Sequence, residues 1–149
     1  MEIRHLDELS PEFVYEDAFG LITKTLGAAA GSSKLYINID SVPPMGYSTK
    51  YHSHSQQEEF FLVLEGAGTL RLNDDHLPVK KGDFIAKRGG QGIAHTFYNS
   101  GAEALVILDV GTVEPEDTCY YPDEDVYLHK SNGTNRVYHG NALDCAWTS

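Results

Sequence analysis

Positive charge is scarce in this chain. Lys plus Arg number 11 against 22 Asp plus Glu, a formal net charge of −11, and no basic stripe remains to neutralise a phosphate backbone, which argues against nucleic acid as a partner. Long hydrophobic runs are missing as well. The longest, residues 60–64 and 104–108, have five residues, where a helix crossing a bilayer needs about 20, so no membrane span is expected. Cysteine is nearly absent: Cys119 and Cys145 are the two, and neither has a second Cys or a His at metal-finger spacing. Free thiols are the expectation for a reducing compartment. Residues 1–7 are acidic and lack an apolar h-region, so no secretory signal is visible and a cytoplasmic location is expected. Repeats and low-complexity tracts are also lacking. What is left is 149 residues, 41% of them hydrophobic, enough for one core and one domain spanning residues 1–149.

Between residues 34 and 112, short β-branched and aromatic runs alternate with Gly, Pro, Asn and Asp. Residues 34–39 alternate Leu35, Ile37 and Ile39 with Lys34, Tyr36 and Asn38, and Pro43-Pro44 stops that strand because proline cannot donate to a ladder. Further strands are expected at 59–64, 69–73, 76–80, 83–87, 95–99 and 104–110, with a hairpin at Asn73-Asp74-Asp75 and turns at Gly82 and Ser100-Gly101. Even spacing of short strands without a long amphipathic helix predicts an antiparallel sandwich or barrel. Near the start, Ser10-Pro11-Glu12 suits a helix cap, while residues 13–15 suit an edge strand, and both stand open. Six of the twelve residues in 114–125 are acidic, which reads as a solvated face on a tail, residues 113–149, wrapping the outside.

Chemistry concentrates in His52-Ser53-His54-Ser55-Gln56-Gln57-Glu58-Glu59. Two histidines two apart on an extended chain project from one face and can share an ion. His95 opens another expected strand, and Glu58 or Glu59 opens the strand beside the histidine pair. Three imidazoles and a carboxylate suit one divalent ion such as Zn, Mn, Fe, Ni or Co, with coordination positions left open for a ligand.

Gly46, five residues, His52-x-His54, four residues, Glu59, six residues and Gly66 resemble the first motif of the cupin family. Gly92, His95 and Asn99 match its second motif. Gly90 stands where that motif has proline, and the step from Gly82 to Gly90 is two residues longer than usual, which implies a looser turn beside the site. The resemblance covers about residues 35–112 and implies an all-β, cupin-type double-stranded β-helix (jelly-roll) barrel with short peripheral N- and C-terminal extensions. It also implies His52, His54, Glu59 and His95 as metal ligands, Glu59 rather than Glu58 because only Glu59 keeps the step to Gly66. Alternation from these positions turns Phe61 and Val63, then Phe97 and Asn99, inward, and puts Lys50 on the side of His52.

The resemblance is strongest to small bacterial single-domain cupins described as sugar-phosphate isomerases. It implies a small-molecule substrate, a metal that polarises its oxygens and a base, for which Tyr36, Tyr47, Lys50 and Tyr51 are candidates. Phe61 and Phe97 would border the substrate, and Lys50, Lys87 and Arg88 would lie near the mouth to meet a phosphate. An iron dioxygenase of a small acid and a non-catalytic small-molecule binding module remain open beside the isomerase. A homodimer is expected, with residues 13–15 and 21–26 covering a sheet edge across a two-fold axis.

Overall fold

The computed structural model describes residues 1–16 and 19–140; Cys145 lies outside them. The described residues form β1 (Glu12–Glu16), β2 (Phe19–Thr25), α1 (Leu26–Ala30), β3 (Leu35–Val42), β4 (Ser53–His54), β5 (Glu59–Glu65), β6 (Ala67–Leu72), β7 (Asp75–Lys80), β8 (Phe84–Lys87), β9 (His95–Tyr98), β10 (Leu105–Thr112), β11 (Glu116–Tyr121), β12 (Val126–Ser131) and β13 (Thr134–His139). They make three antiparallel sheets ordered β1-β2-β3-β10-β5-β8, β7-β6-β9 and β13-β12-β11-β4, which wrap one interior as an all-β jelly roll. Of the two readings for the start of the chain, the edge strand is the one that forms: β1 pairs with β2 as a hairpin.

Local chemistry explains the turns. Asn73 and Asp74, at φ 47° and 68°, and Asn132 and Gly133, at φ 46° and 82°, supply the two consecutive positive φ values that a tight two-residue hairpin needs. Each joins strands in direct register, Leu72 opposite Asp75 and Ser131 opposite Thr134. Met45, at φ 68°, turns the chain after the two prolines, and the Gly46 N–H donates to the Pro43 carbonyl at 3.0 Å.

Alternation along β5 buries Glu59, Phe61 and Val63 and leaves Phe60 exposed. At one end of the interior, Val42, Leu70, Leu105 and Ile107 pack against Val63 as the core. Phe61 and Phe97 meet edge to face, with centroids 5.3 Å apart, and divide this core from a polar cavity above them. Asn99 faces inward as expected and is fully buried. Its Nδ2 donates to the carbonyls of Val42 and Glu103, and its Oδ1 accepts from the Gly101 N–H. It is a strut between loops, remote from the cavity lining.

The second half of the chain departs from the expectation of a solvated tail. β11 pairs with β4, Cys119 lying opposite His54, so the acidic run contributes a strand directly behind the histidine pair. Asp117 is 4% exposed. A carboxylate is tolerated there because the His54 imidazole, the Ser55 hydroxyl and the Gln56 and Gln57 N–H groups meet it.

Candidate metal centre

Three of the four expected ligands converge. His52 Nε2 lies 3.0 Å from His54 Nε2, and His54 Nε2 lies 2.9 Å from Glu59 Oε1; His52, His54 and Glu59 are all buried and their ligand atoms lie within 4.8 Å of one another. The backbone sets this up: β4 carries His54 and, just before it, His52 is held by an isolated bridge to His95, while β5 delivers Glu59 from another sheet.

The far side of each imidazole decides which nitrogen is free. His52 Nδ1 donates to the Lys50 carbonyl at 2.6 Å, and His54 Nδ1 donates to Asp117 Oδ2 at 2.6 Å. With Nδ1 engaged on the far side, Nε2 is the nitrogen each ring turns toward the cluster; on His54 it carries a proton donated to Glu59 Oε1, which a metal ion would have to displace. These donors fit a divalent ion of borderline softness. His95 is arranged differently. Its Nδ1 lies 2.7 Å from Lys87 Nζ and 3.6 Å from Glu59 Oε2, so an ammonium donates to Nδ1 and the ring proton belongs on Nε2. His95 can join the other three as a ligand only when Lys87 is a neutral amine that accepts from Nδ1–H.

Lys87 corrects the expectation of a cation at the mouth. Its side chain is 2% exposed, with Nζ 3.0 Å from Glu59 Oε2 and 3.2 Å from the His52 carbonyl. As the last residue of β8, opposite Glu59 on β5, it alternates inward, and Arg88 therefore points outward and is exposed. Lys50 is corrected as well. Residues 47–52 form isolated bridges rather than a regular strand, so alternation fails there; Ser48 and Thr49 line the cavity, while Lys50 lines a separate groove with Tyr121 and Glu124.

Burial and partners set the electrostatics. Burial drives His52 down to about 4, helped by its neighbour His54. Burial also pulls on His54, but hydrogen bonds with Asp117, Cys119 and Glu59 outweigh it and carry the imidazole up to about 11. For Glu59 and Asp117, burial favours the neutral acid, yet the His54 hydrogen bonds hold both well below the usual carboxylate range. Asp117 is further fixed by the N–H groups of Gln56 and Gln57, which donate to Oδ1 at 2.9 and 3.2 Å.

The turn with the missing proline is tight. Gly90 has φ 78°, a value closed to a proline ring held near −65°, and its N–H donates to the His54 carbonyl at 2.9 Å. A Cβ on Gly89 would stand 2.4 Å from the Gln56 backbone. The glycines therefore let this turn clasp the His54–Gln56 loop.

The cavity beside the ligands has a volume of about 310 Å³. Phe61 and Phe97 line it, as expected, and are also 5% and 2% exposed members of the core. Of the four candidate bases, Tyr36 alone is in the lining. Tyr51 instead accepts from the Asp74 N–H and lies under the Arg71 guanidinium, and Tyr47 packs against Tyr98. The Tyr36 hydroxyl donates to Asp109 Oδ1 at 2.9 Å, and Asp109 in turn shares a hydrogen bond with Asp40. Gly111 makes this possible: a Cβ there would lie 2.2 Å from the Tyr36 ring. Burial first, and then the Asp40 contact, lift Asp109 well above the usual carboxylate range. Asp40, Asp109 and Lys130 were missed in sequence. The available signal was an aspartate inside the apolar run 104–110.

The cupin domain profile matches residues 38–111, a span that holds His52, His54, Glu59 and His95. The chain is a cupin. Its fold is similar to that of a provisionally named sugar phosphate isomerase from Acidithiobacillus ferrooxidans, at 30% identity and TM-score 0.85 over 89% of this chain and 86% of that one. It is equally similar to a cupin-superfamily sugar phosphate isomerase from Silicibacter pomeroyi, at 28% identity and TM-score 0.84 over 94% of each chain. An uncharacterized protein from Methanocaldococcus jannaschii is 39% identical over 46 residues, 31% of this chain; the cupin spans 37% of that curated relative's length. Asp117 lies outside the matched domain, on the strand that closes behind His54.

Proposed function

We propose that this cupin binds one divalent metal through His52, His54 and Glu59, with His95 as a fourth ligand once Lys87 is neutral, and isomerises a small polyhydroxylated carbonyl compound. The observation that carries the reading is the meeting, in one cavity of about 310 Å³, of the three ligand atoms with the Tyr36–Asp109–Asp40 hydrogen-bonded group. The names of the Acidithiobacillus and Silicibacter relatives support it. A bound divalent ion would supply Lewis acidity toward the substrate's oxygens. The chain supplies the rest. Asp109 in its ionised form, made more basic by burial, is placed to take a proton from the carbon beside the carbonyl and return it to the neighbouring carbon. Tyr36 fixes the Asp109 carboxyl, and Phe61 and Phe97 close the floor against water.

The test is incubation of metal-loaded protein in deuterated water with aldoses, ketoses and their phosphate esters. Interconversion with deuterium at the carbon next to the carbonyl is the expected result. No interconversion and no uptake across the panel would remove the isomerase reading, and a raised melting temperature with the same compounds would then leave a binding module. Within the site, Asp117→Asn keeps the shape but not the charge behind His54, and metal affinity is expected to fall about 10–100-fold in a chelator competition.

We also propose a homodimer. Phe13 opposes Ile22 across β1 and β2, Phe60 stacks on Phe84 with centroids 6.0 Å apart, and these four side chains are 37–68% exposed on the outer face of the six-stranded sheet. A second copy related by a two-fold axis would cover that face. Sedimentation at micromolar concentration should show twice the 16.5 kDa chain mass; a 16.5 kDa species alone would count against it.

A further inference from the structure

Away from the ligand cluster, where Glu59 is answered by His54 and Lys87, the cavity wall has charges the reverse of those a phosphate site needs. There the described lining has two carboxyl groups, Asp40 and Asp109, against one lysine, Lys130, and no arginine. A phosphate ester carries about −1.5 to −2 charges near neutral pH and is held by forked guanidinium groups, paired ammonium groups or helix N-termini. Among the described residues, the other cations near the motifs are placed elsewhere: Arg88 is exposed outside the lining, Lys50 lines another groove, and Lys87 is buried against Glu59 and His95. The α-helix, Leu26–Ala30, packs on β3 and contributes nothing to the lining.

What the wall of β3 and β10 does offer is suited to hydroxyl groups. Asn38 and Asp40 on β3 and Asp109 on β10 project into the cavity in neighbouring rows. The Tyr36 hydroxyl reaches over Gly111 to Asp109. The carboxyl oxygens not engaged with each other accept hydrogen bonds from hydroxyl groups, and the Asn38 amide can donate to a hydroxyl oxygen, so a hydroxyl that does both is met on this wall. The raised pKa of Asp109 agrees with a shared proton. A volume of about 310 Å³ lies at the lower end of the range for small-molecule pockets, about 300–1,000 Å³.

We propose that this cavity takes a neutral, unphosphorylated polyhydroxylated carbonyl compound, with its hydroxyl groups held by Asp40, Asp109 and Tyr36. The proposal rests on the reading of the cavity as the substrate site and names the substrate class, in departure from the relatives' names. Manganese-loaded protein titrated calorimetrically with D-ribose and D-fructose, and with the phosphate ester of each, tests it. Each parent sugar is expected to bind at least about tenfold more tightly than its ester. Asp40→Asn should weaken parent-sugar binding by about tenfold or more, the size expected for a lost hydrogen bond to a charged group, while bound manganese is unchanged. If Asp40→Asn does not fold, Tyr36→Phe, which preserves ring volume, should show a loss in the same direction. Esters that bind as tightly as their parents, parents that do not bind, or variants with unaltered sugar affinity would each overturn the proposal. Deuterium uptake on the same compounds separates it from the isomerase reading. Parent sugars that bind without uptake uphold the substrate class and remove isomerisation, whereas uptake with the esters alone does the opposite.

Discussion

Lys87→Met is expected to lower the unfolding free energy of chelator-treated protein by about 1.5–3 kcal/mol, the size of a lost hydrogen bond to a charged group, since the His54 imidazole still answers Glu59. Lys87 Nζ lies 3.0 Å from Glu59 Oε2, with side chains 2% and 5% exposed, so water cannot replace the lost ammonium. The same nitrogen donates to the His52 carbonyl at 3.2 Å, a bond methionine cannot make. Urea denaturation with and without saturating zinc measures the effect. The deficit should shrink when zinc is present, because a cation beside Glu59 then answers its charge. A loss under about 1 kcal/mol without metal would place the pair in the range of exposed salt bridges and contradict its burial.

His54→Ala should reduce divalent-metal affinity by at least about 100-fold, beyond the range for residues that only orient a ligand. His54 holds the centre of the cluster, facing Nε2 of His52 at 3.0 Å, Oε1 of Glu59 at 2.9 Å and, through Nδ1, Asp117 at 2.6 Å. Circular dichroism should still report the β fold, because Asp117 keeps its two backbone donors and the core of Val42, Leu70, Leu105 and Ile107 is untouched. Retention of full metal stoichiometry in elemental analysis would show that the ligand set is wrong.

Much of this geometry is legible in sequence because backbone requirements write themselves as particular residues. Asn73-Asp74 and Asn132-Gly133 are readable since few residues tolerate consecutive positive φ values. The side of β5 that faces inward follows from Glu59 by simple alternation. On β3 the same rule misleads. Its apolar set, Ile37 and Ile39, would ordinarily face the interior, yet Tyr36, Asn38 and Asp40 line the cavity. Alternation separates two faces without saying which is inside, and a barrel with a polar cavity reverses the usual assignment.

Lys50, Lys87 and Asp117 fail for different reasons. The position of Lys50 assumes a regular strand that residues 47–52 do not make. Lys87 reads as a surface charge because its partner, Glu59, lies 28 residues earlier in sequence and only strand pairing brings them together. Asp117 is hidden among neighbours that are exposed, Glu116 and Glu114; its burial depends on a β4–β11 pairing for which the sequence carries no local mark.

That pairing makes the far end of the chain part of the site. β11 brings Asp117 to His54, β12 is laced to β11 through six residue pairs, and β13 to β12 through six more. If β11 peels away from β4, the His54 imidazole loses the acceptor that fixes its orientation; conversely, whatever locks that imidazole resists the peeling. The ligand cluster and the C-terminal hairpins thus open as one cooperative unit, and the hydrogen-exchange rates of amides along β11 and β12 report on the state of the His54 imidazole.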